Sequence, residues 1–282
     1  MIYVLKGSGR QEKSGKGCLY HLPDLGGGWM QKNEMQFYDR ENVWKTYENN
    51  DEELKRAYLT IGLIPEDVQR VLDVGCGLGH ITNRINKKIV IGMDFAKTPL
   101  KKVIKPAIQG SVDALPFKPD QFDLVLVTEV LEHLNNEQYL KALEEITNLK
   151  STYLLISVPY KEDLRRSVAQ CQICGTRFHL SHHYQSFDES SFQQMFPDYR
   201  ILKIEYCSYF YPTNDLLLEI KQLFGIHEYS DTAICTKCGG LAIRPNVIAR
   251  YTFGGLDYIC RQIDRARGTK KAFHLIALLK QR

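Results

Sequence analysis

The stretch VLDVGCGLGHIT, residues 71–82, constrains this chain more than any other. A short apolar run ends in glycines at alternate positions, Gly75, Gly77 and Gly79. Without a Cβ, such residues let the backbone turn sharply and bring its amides close to a ligand. The run therefore reads as a strand feeding a ligand-binding turn. The spacing is G-x-G-x-G, and His80 stands where a dinucleotide fingerprint has its third glycine. That departure argues against a pyrophosphate seated on the following helix. Asp73 adds a carboxylate beside the turn. A phosphate would not want it, whereas an ammonium or a sulfonium would tolerate it.

Further apolar runs follow at regular intervals: KIVIGMDF, FDLVLVTEV and YLLISVPY, with YRILKIEY and FHLIALLK near the C-terminus. Between them lie polar segments such as NEQYLKALEEITNLK, whose apolar residues recur at helical spacing. Strands alternating with helices mean βαβ units and a mainly parallel sheet. Residues 37–64 read as helical, with aromatics at Phe37, Tyr38, Trp44 and Tyr47, and residues 1–35 as a loosely ordered arm.

At 282 residues the chain suffices for one large α/β domain with insertions or two small domains. Its 44% hydrophobic and 25% charged residues are those of a soluble globular protein, and the net charge of +4 is too small to argue for nucleic acid. The N-terminus lacks the apolar core of a signal peptide, and no run reaches bilayer-spanning length. A soluble, cytoplasmic protein is expected. Four of its eight cysteines form two C-x-x-C pairs, which in such a compartment indicate metal before disulfides. Cys18, Cys207 and Cys260 carry no readable role.

Taken in order, Asp73-x-Gly75-x-Gly77-x-Gly79, Asp94, Ser111-Val-Asp113-Ala-Leu-Pro-Phe and Phe122-Asp123-Leu-Val closely resemble the class I S-adenosylmethionine-dependent methyltransferases over about residues 60–160. The resemblance implies a Rossmann-like seven-stranded α/β sheet with helices on both faces. It implies that Asp73 and the Gly75–Gly79 turn, with Cys76 inside it, wrap the methionine part of S-adenosylmethionine. Asp94, followed by Phe95, would hold the ribose. Ser111, Val112 and Asp113 would cover the adenine, with Ser111 standing where this family often has Asp. Thr128 and Glu129 would lie at the tip of strand four, near the transferred methyl. Cys76 is read as packing rather than as a nucleophile.

EVLEHL places Glu129, Glu132 and His133 at i, i+3 and i+4, one face of a helix if a helix begins here. Two carboxylates and an imidazole could hold a divalent cation. Alternatively Glu132 and His133 orient the helix and His133 is a general base. The E-x-x-E-H set resembles two metal-using groups, the ubiquinone-biosynthesis O-methyltransferases and the enzymes that 2′-O-methylate the 3′ end of small RNAs. The second resemblance implies His183 as a further ligand and Mg2+ or Mn2+ as the ion at Glu129, Glu132, His133 and His183.

Cys171-x-x-Cys174-Gly and Cys235-x-x-Cys238-Gly each read as a zinc knuckle, in which the glycine permits the tight turn. Their separation is too long for spacing alone to join them. In the implied topology, however, both follow strands that end at the ligand-binding edge of the sheet. Four thiolates there would make a closed, structural zinc site stapling a lid. A set using two of His179, His182 and His183 remains open.

The expected organisation is an arm and aromatic helix (1–50), a cofactor-binding core (51–160), a first knuckle insertion (161–199), a core strand (200–207), a second knuckle insertion (208–271) and a final strand (272–282). The expected function is O-methylation of a small-molecule hydroxyl, on a sugar or secondary metabolite, with His133 and His183 as base candidates. Tyr160 and the aromatics near Trp44 are read as pocket walls or core. RNA 2′-O-methylation is the alternative, against which the weak charge counts.

Overall fold

The computed structural model describes residues 37–48, 50–211, 215, 218–220, 233–240, 254–256, 258–259, 262–263, 265–268 and 270–282. The N-terminal arm, Cys18, Cys260 and most of the second insertion lie outside the described residues. Seven strands form one sheet: β1 (Arg70–Val74), β2 (Ile89–Asp94), β3 (Ala107–Gln109), β4 (Leu124–Thr128), β5 (Tyr153–Pro159), β8 (Tyr199–Phe210) and β9 (Lys271–Gln281). Their order is β3-β2-β1-β4-β5-β9-β8. The first five are parallel, while β9 runs antiparallel to both β5 and β8. A second, two-stranded sheet is the hairpin β6 (Val168–Gln170) and β7 (Arg177–His179).

The central strands read as unbroken apolar runs because helices cover both faces. Along β4, Val125 and Val127 enter one core, while Leu124 and Leu126 enter the other. Along β5, Leu154, Ile156 and Val158 alternate with Tyr153 and Leu155 in the same way. The first core is closed by Ala142 and Ile146 of one helix and by Phe192 and Met195 of another, the second by Ala57 and Leu63 from the N-terminal side. Each such buried aliphatic side chain contributes about 1.5–3 kcal/mol.

Sequence periodicity leads one to expect a single helix over residues 37–64, and the structure breaks it into α1 (Glu41–Glu48) and α2 (Asp51–Gly62). The break falls at Asn50, whose side chain accepts from the N–H groups of Glu52 and Glu53. Asp51, Glu52 and Glu53 then place negative charge on the positive end of α2. The sequence leads one to expect strands alternating with helices, and between the early strands the structure differs. β1 and β2 are joined by a single 3-10 turn, Thr82–Arg84, and β2 and β3 by the four-residue α3 (Lys97–Leu100). Residues 80–88 are too few to form a full crossover helix after the glycine turn. α4 (Asn136–Asn148) and α5 (Glu189–Met195) both begin with capping boxes, Asn135 with Gln138 and Asp188 with Ser191. Among the described residues, no helix is long and apolar enough to cross a membrane.

Candidate active site and metal centre

β1 delivers the chain into the glycine turn, where the backbone is left-handed at all three alternate glycines, with φ of +74°, +50° and +77° at Gly75, Gly77 and Gly79. At Gly75 a Cβ would lie 2.1 Å from Val130 Cγ2, so any other residue would strain the dihedral and have to displace Val130. Gly77 lies under the Trp44 ring, 3.2 Å from where its Cβ would be. The turn is tied to β2: the amides of Gly75 and Cys76 donate to the Met93 carbonyl at 2.7 and 3.0 Å. The Gly77 amide donates to Asp94 Oδ2 at 2.8 Å, and the Ala96 amide donates to Oδ1 at 2.8 Å.

Burial pushes the Asp94 carboxyl up to about 6 against the pull of these amides. Burial raises Asp73 to about 7, although Thr82 donates a hydroxyl hydrogen bond to its Oδ2 at 2.5 Å. Asp73 Oδ1 is buried with no hydrogen-bond partner. The Cys76 thiol is pushed up by burial and packs beside Gly92, in keeping with a packing role. In the next loop the Ser111 hydroxyl bonds the Asp113 carboxylate and Val112 is buried in the core. Phe95 meets Tyr38 edge to face at 5.3 Å.

β4 ends at buried Thr128, and Glu129 follows in a left-handed conformation, φ +55°. The helical face expected for EVLEHL is not formed. The segment is a 3-10 turn, Leu131–His133, and Glu129 precedes it, so its side chain departs from those of Glu132 and His133. Glu129 instead accepts from the Ser157 hydroxyl at 2.6 Å, with His274 Nε2 at 3.2 Å and Arg56 Nη1 at 3.6 Å. Burial opposes its ionisation, but His274 and Arg56 outweigh it and hold the carboxyl well below the ordinary range. His274 is raised to about 9 by Glu129 against its own burial.

Glu132 is fully buried, and neither of its carboxylate oxygens has a hydrogen-bond partner. Burial first and the Glu129 charge second push it well above the carboxylate range. Around it stand two imidazoles. His133 Nε2 is 3.8 Å from Glu132 Oε1, and the His133 and His183 rings meet edge to face at 4.6 Å. Glu132, His133 and His183 bring three potential ligand atoms within 4.8 Å of one another, and Glu162, His179 and His183 do the same. The structure thus brings together three members of the expected set, Glu132, His133 and His183, without Glu129, and sets Glu162 and His179 beside His183. His182 instead places Nε2 2.9 Å from the Ile234 carbonyl.

The two knuckles are built alike. Gly175 and Gly239, φ +73° and +69°, return their amides to the carbonyls of Cys171 and Cys235 at 2.8 and 2.9 Å. The Cys171 amide reaches Thr176 O at 2.8 Å, and the Cys235 amide reaches Gly240 O at 2.7 Å. The pairs meet: Cys171 Sγ is 3.5 Å from Cys238 Sγ, and Cys174 Sγ is 3.6 Å from Cys235 Sγ. All four sulfurs lie within 4.8 Å of one another, which fits tetrahedral zinc with Zn–S bonds of about 2.3 Å.

Sequence reasoning missed Arg56, His274 and Glu162, and it named Tyr38 only among the aromatics read as pocket walls or core. Tyr38 places its hydroxyl 2.9 Å from His133 Nδ1, and Trp44 donates its indole N–H to the Tyr38 carbonyl at 2.5 Å. Glu162 carried one readable signal, its position just past the end of β5. Arg56 and His274 occupy ordinary helix and strand positions and carried none. Tyr160 donates to Glu189 Oε1 at 2.7 Å and packs against the first core.

Residues 72–151 match the family model described as a methyltransferase domain. An uncharacterized protein of Methanocaldococcus jannaschii is 43% identical over 96 residues, 33% of this chain and 41% of that protein. Another from the same organism is 33% identical over 119 residues, 42% of this chain and 48% of that one. The chain thus spans less than half the length of these curated relatives. Among solved structures, the [4+2]-cyclase SpnF is 13% identical, covers 90% of this chain and 96% of its own, and has a TM-score of 0.53. The N-methyltransferase NodS of Bradyrhizobium japonicum, in complex with S-adenosyl-l-homocysteine, is 12% identical, covers 90% and 98%, and has a TM-score of 0.50. Residues 72–151 are a methyltransferase domain, and the sheet around them has the fold of the class I S-adenosylmethionine-dependent methyltransferases.

Proposed function

We propose that this chain transfers a methyl group from S-adenosylmethionine to a hydroxyl oxygen of a small molecule, such as a sugar or secondary metabolite, beneath a lid stapled by zinc. The observation that carries the donor half is the coupling of the left-handed glycine turn to Asp94 across β1 and β2. Each Asp94 oxygen takes one amide and keeps a lone-pair direction for a ribose hydroxyl. The turn has no side chain to obstruct the methionine part of the cofactor, and the orphaned Asp73 Oδ1 is an acceptor suited to an ammonium. The cofactor supplies a methyl carbon bearing an excellent leaving group. The protein's work is to align the acceptor oxygen, exclude water and remove a proton. We assign that proton to His133 or His183.

The zinc reading rests on the convergence of Cys171, Cys174, Cys235 and Cys238. Four thiolates leave no open coordination position, so the ion is structural. A native mass spectrum of the purified protein tests both halves. One zinc and one S-adenosylhomocysteine on addition of that nucleoside are expected. Absence of nucleoside binding would sink the donor site, and absence of zinc would sink the staple.

The fully buried Glu132 carboxylate without a donor favours a second reading, a divalent cation held by Glu132, His133 and His183. Two imidazoles and a carboxylate suit Mn2+ among the candidates better than Mg2+. An RNA 2′-hydroxyl would then join the candidate acceptors. Activity abolished by a chelator and restored by Mn2+ supports this reading, and full activity in excess chelator excludes it.

A further inference from the structure

We infer that residues 37–48, the turn carrying Phe37 and Tyr38 together with helix α1, form a gate across the donor site, and that Ile234 of the second knuckle turn is its latch. Cofactor exchange then waits on the release of Phe37 and Val43 from Ile234. The inference rests on the donor-site reading above, because a gate needs a ligand behind it.

The segment lies over the ends of three strands. The Trp44 ring rests on the glycine turn, with Cζ3 and Cη2 3.2 and 3.5 Å from where a Gly77 Cβ would be. His80 Nε2 is 2.9 Å from the Tyr47 carbonyl. These contacts cover the exit of β1. Tyr38 meets Phe95, the residue after β2, edge to face, and its hydroxyl reaches His133 Nδ1 beyond β4. In an open, mainly parallel sheet the ligand occupies the crevice outside the carboxyl ends of the strands. A segment in contact with residues that follow β1, β2 and β4 crosses the mouth of that crevice.

The ties on the sheet side are polar. Asp39 Oδ1 accepts the amides of Lys97 and Thr98 at 2.8 and 3.2 Å, and the Thr98 hydroxyl donates to the Asp39 carbonyl at 2.9 Å. Lys102 pairs with Glu48 at 3.1 Å. The apolar hold comes from the opposite side. Phe37, Val43 and Ile234 form a cluster of buried side chains separate from both sheet cores, with Tyr38 and Trp44 packed against it. The Phe37 ring also meets the His182 ring at 4.8 Å, and His182 in turn reaches the Ile234 carbonyl. Ile234 directly precedes Cys235. The gate's buried apolar contact is therefore carried by the knuckle turn and not by the sheet.

α2 stands without α1. It has its own N-cap, Asn50, and buries Ala57 in the second core. The segment before it can leave as a unit, an opening of the local kind that a small apolar contact permits. Trp44 and Tyr38 move together in that opening, because the Trp44 indole N–H donates to the Tyr38 carbonyl. One event thus uncovers both the glycine turn and Phe95.

The test is stopped-flow tryptophan fluorescence with S-adenosylhomocysteine on the full chain. Its two tryptophans are Trp29 and Trp44, so Trp29→Phe leaves Trp44 as the reporter. The observed binding rate is expected to saturate as ligand rises, at the rate of opening. Ile234→Ala should raise that plateau about tenfold, the scale of one truncated apolar contact, and leave the equilibrium affinity within about threefold. Phe37→Ala cuts the same contact from the gate's side and should do the same. An observed rate that climbs linearly with ligand throughout would overturn the inference. So would a plateau that both variants leave unmoved or lower, since the slow step would then be a closure after binding or lie elsewhere. Calorimetry with the same ligand separates the two layers. No binding by the wild type would sink the donor-site reading and the gate with it, whereas binding at an ungated rate would sink the gate alone.

Discussion

Single residues here are governed by what surrounds a buried charge. Asp94 is lifted to about 6 by burial, and a ribose hydroxyl needs the ionised form as its acceptor. Cofactor affinity is therefore expected to hold above pH 6 and to fall by about tenfold per pH unit below it. Calorimetry with S-adenosylhomocysteine from pH 5 to 8 reads this directly, and a flat profile would remove Asp94 from ribose binding. Asp94→Ala should weaken the same affinity by about tenfold to hundredfold, the scale of a charged hydrogen bond. Glu129 presents the opposite case, a carboxylate kept ionised by Arg56 and His274. His274 is raised from its ordinary 6.5 to about 9, so its contribution to stability is complete below 6.5 and is lost as pH rises through 9. Removing it leaves the half-buried Glu129 carboxylate with Arg56 as its remaining cation among the described residues. His274→Ala is therefore expected to cost about 3 kcal/mol in urea unfolding at pH 7. A cost that does not shrink toward pH 10 would show that packing, not charge, is what was lost.

At the scale of elements, the hairpin β6–β7 and the turn at 233–240 share a small core, Ala169, Cys171, Phe178, Ala233 and Cys235. Among the described residues that core holds five buried side chains, a small apolar surface to which the zinc we propose would add. Cys171→Ser is expected to release zinc and to raise amide exchange across 168–179 and 233–240. His182, bridging to Ile234, transmits that loosening to the His179–His183 turn. Stoichiometric zinc in the variant would contradict the four-thiolate set. What was legible in the sequence at this scale was what periodicity and glycine spacing encode. The apolar runs gave the strands, and Gly75, Gly77 and Gly79 marked the turn. The C-x-x-C-Gly repeats marked two knuckles whose meeting only topology brings about. The missing helix after the turn could have been read from the short stretch between the glycines and KIVIGMDF. The departure of Glu129 could not. Helical spacing put it beside Glu132, and a left-handed backbone at one residue redirected it. Glu162 escaped because a lone carboxylate acquires meaning only when His179 and His183 fold back on it.

Across the whole molecule, the donor site and the lid differ in what holds them. The donor site hangs on β1, β2 and β4, whose strands are buried on both faces between two cores. The lid we propose is attached through residues 160–162 and 184–187 and through the four cysteines. Contacts of such different kinds give two units that open separately. A cofactor bound only to the native core adds RT ln(1 + [L]/Kd), about 2.7 kcal/mol at a hundredfold excess over Kd. A chelator that strips zinc removes nothing from the sheet. The expected outcome of hydrogen exchange under four conditions follows. S-adenosylhomocysteine should protect β1, β2 and the turn between them with or without zinc. Chelation should expose 168–183 and 233–240 and leave β4 and β5 protected. If chelation instead unprotects β1 and β2, zinc is holding the donor site as well, and the lid is a structural part of the core. If the cofactor protects 168–183 only when zinc is present, the staple is what carries His183 to the site, and metal loss would stop transfer without stopping cofactor binding.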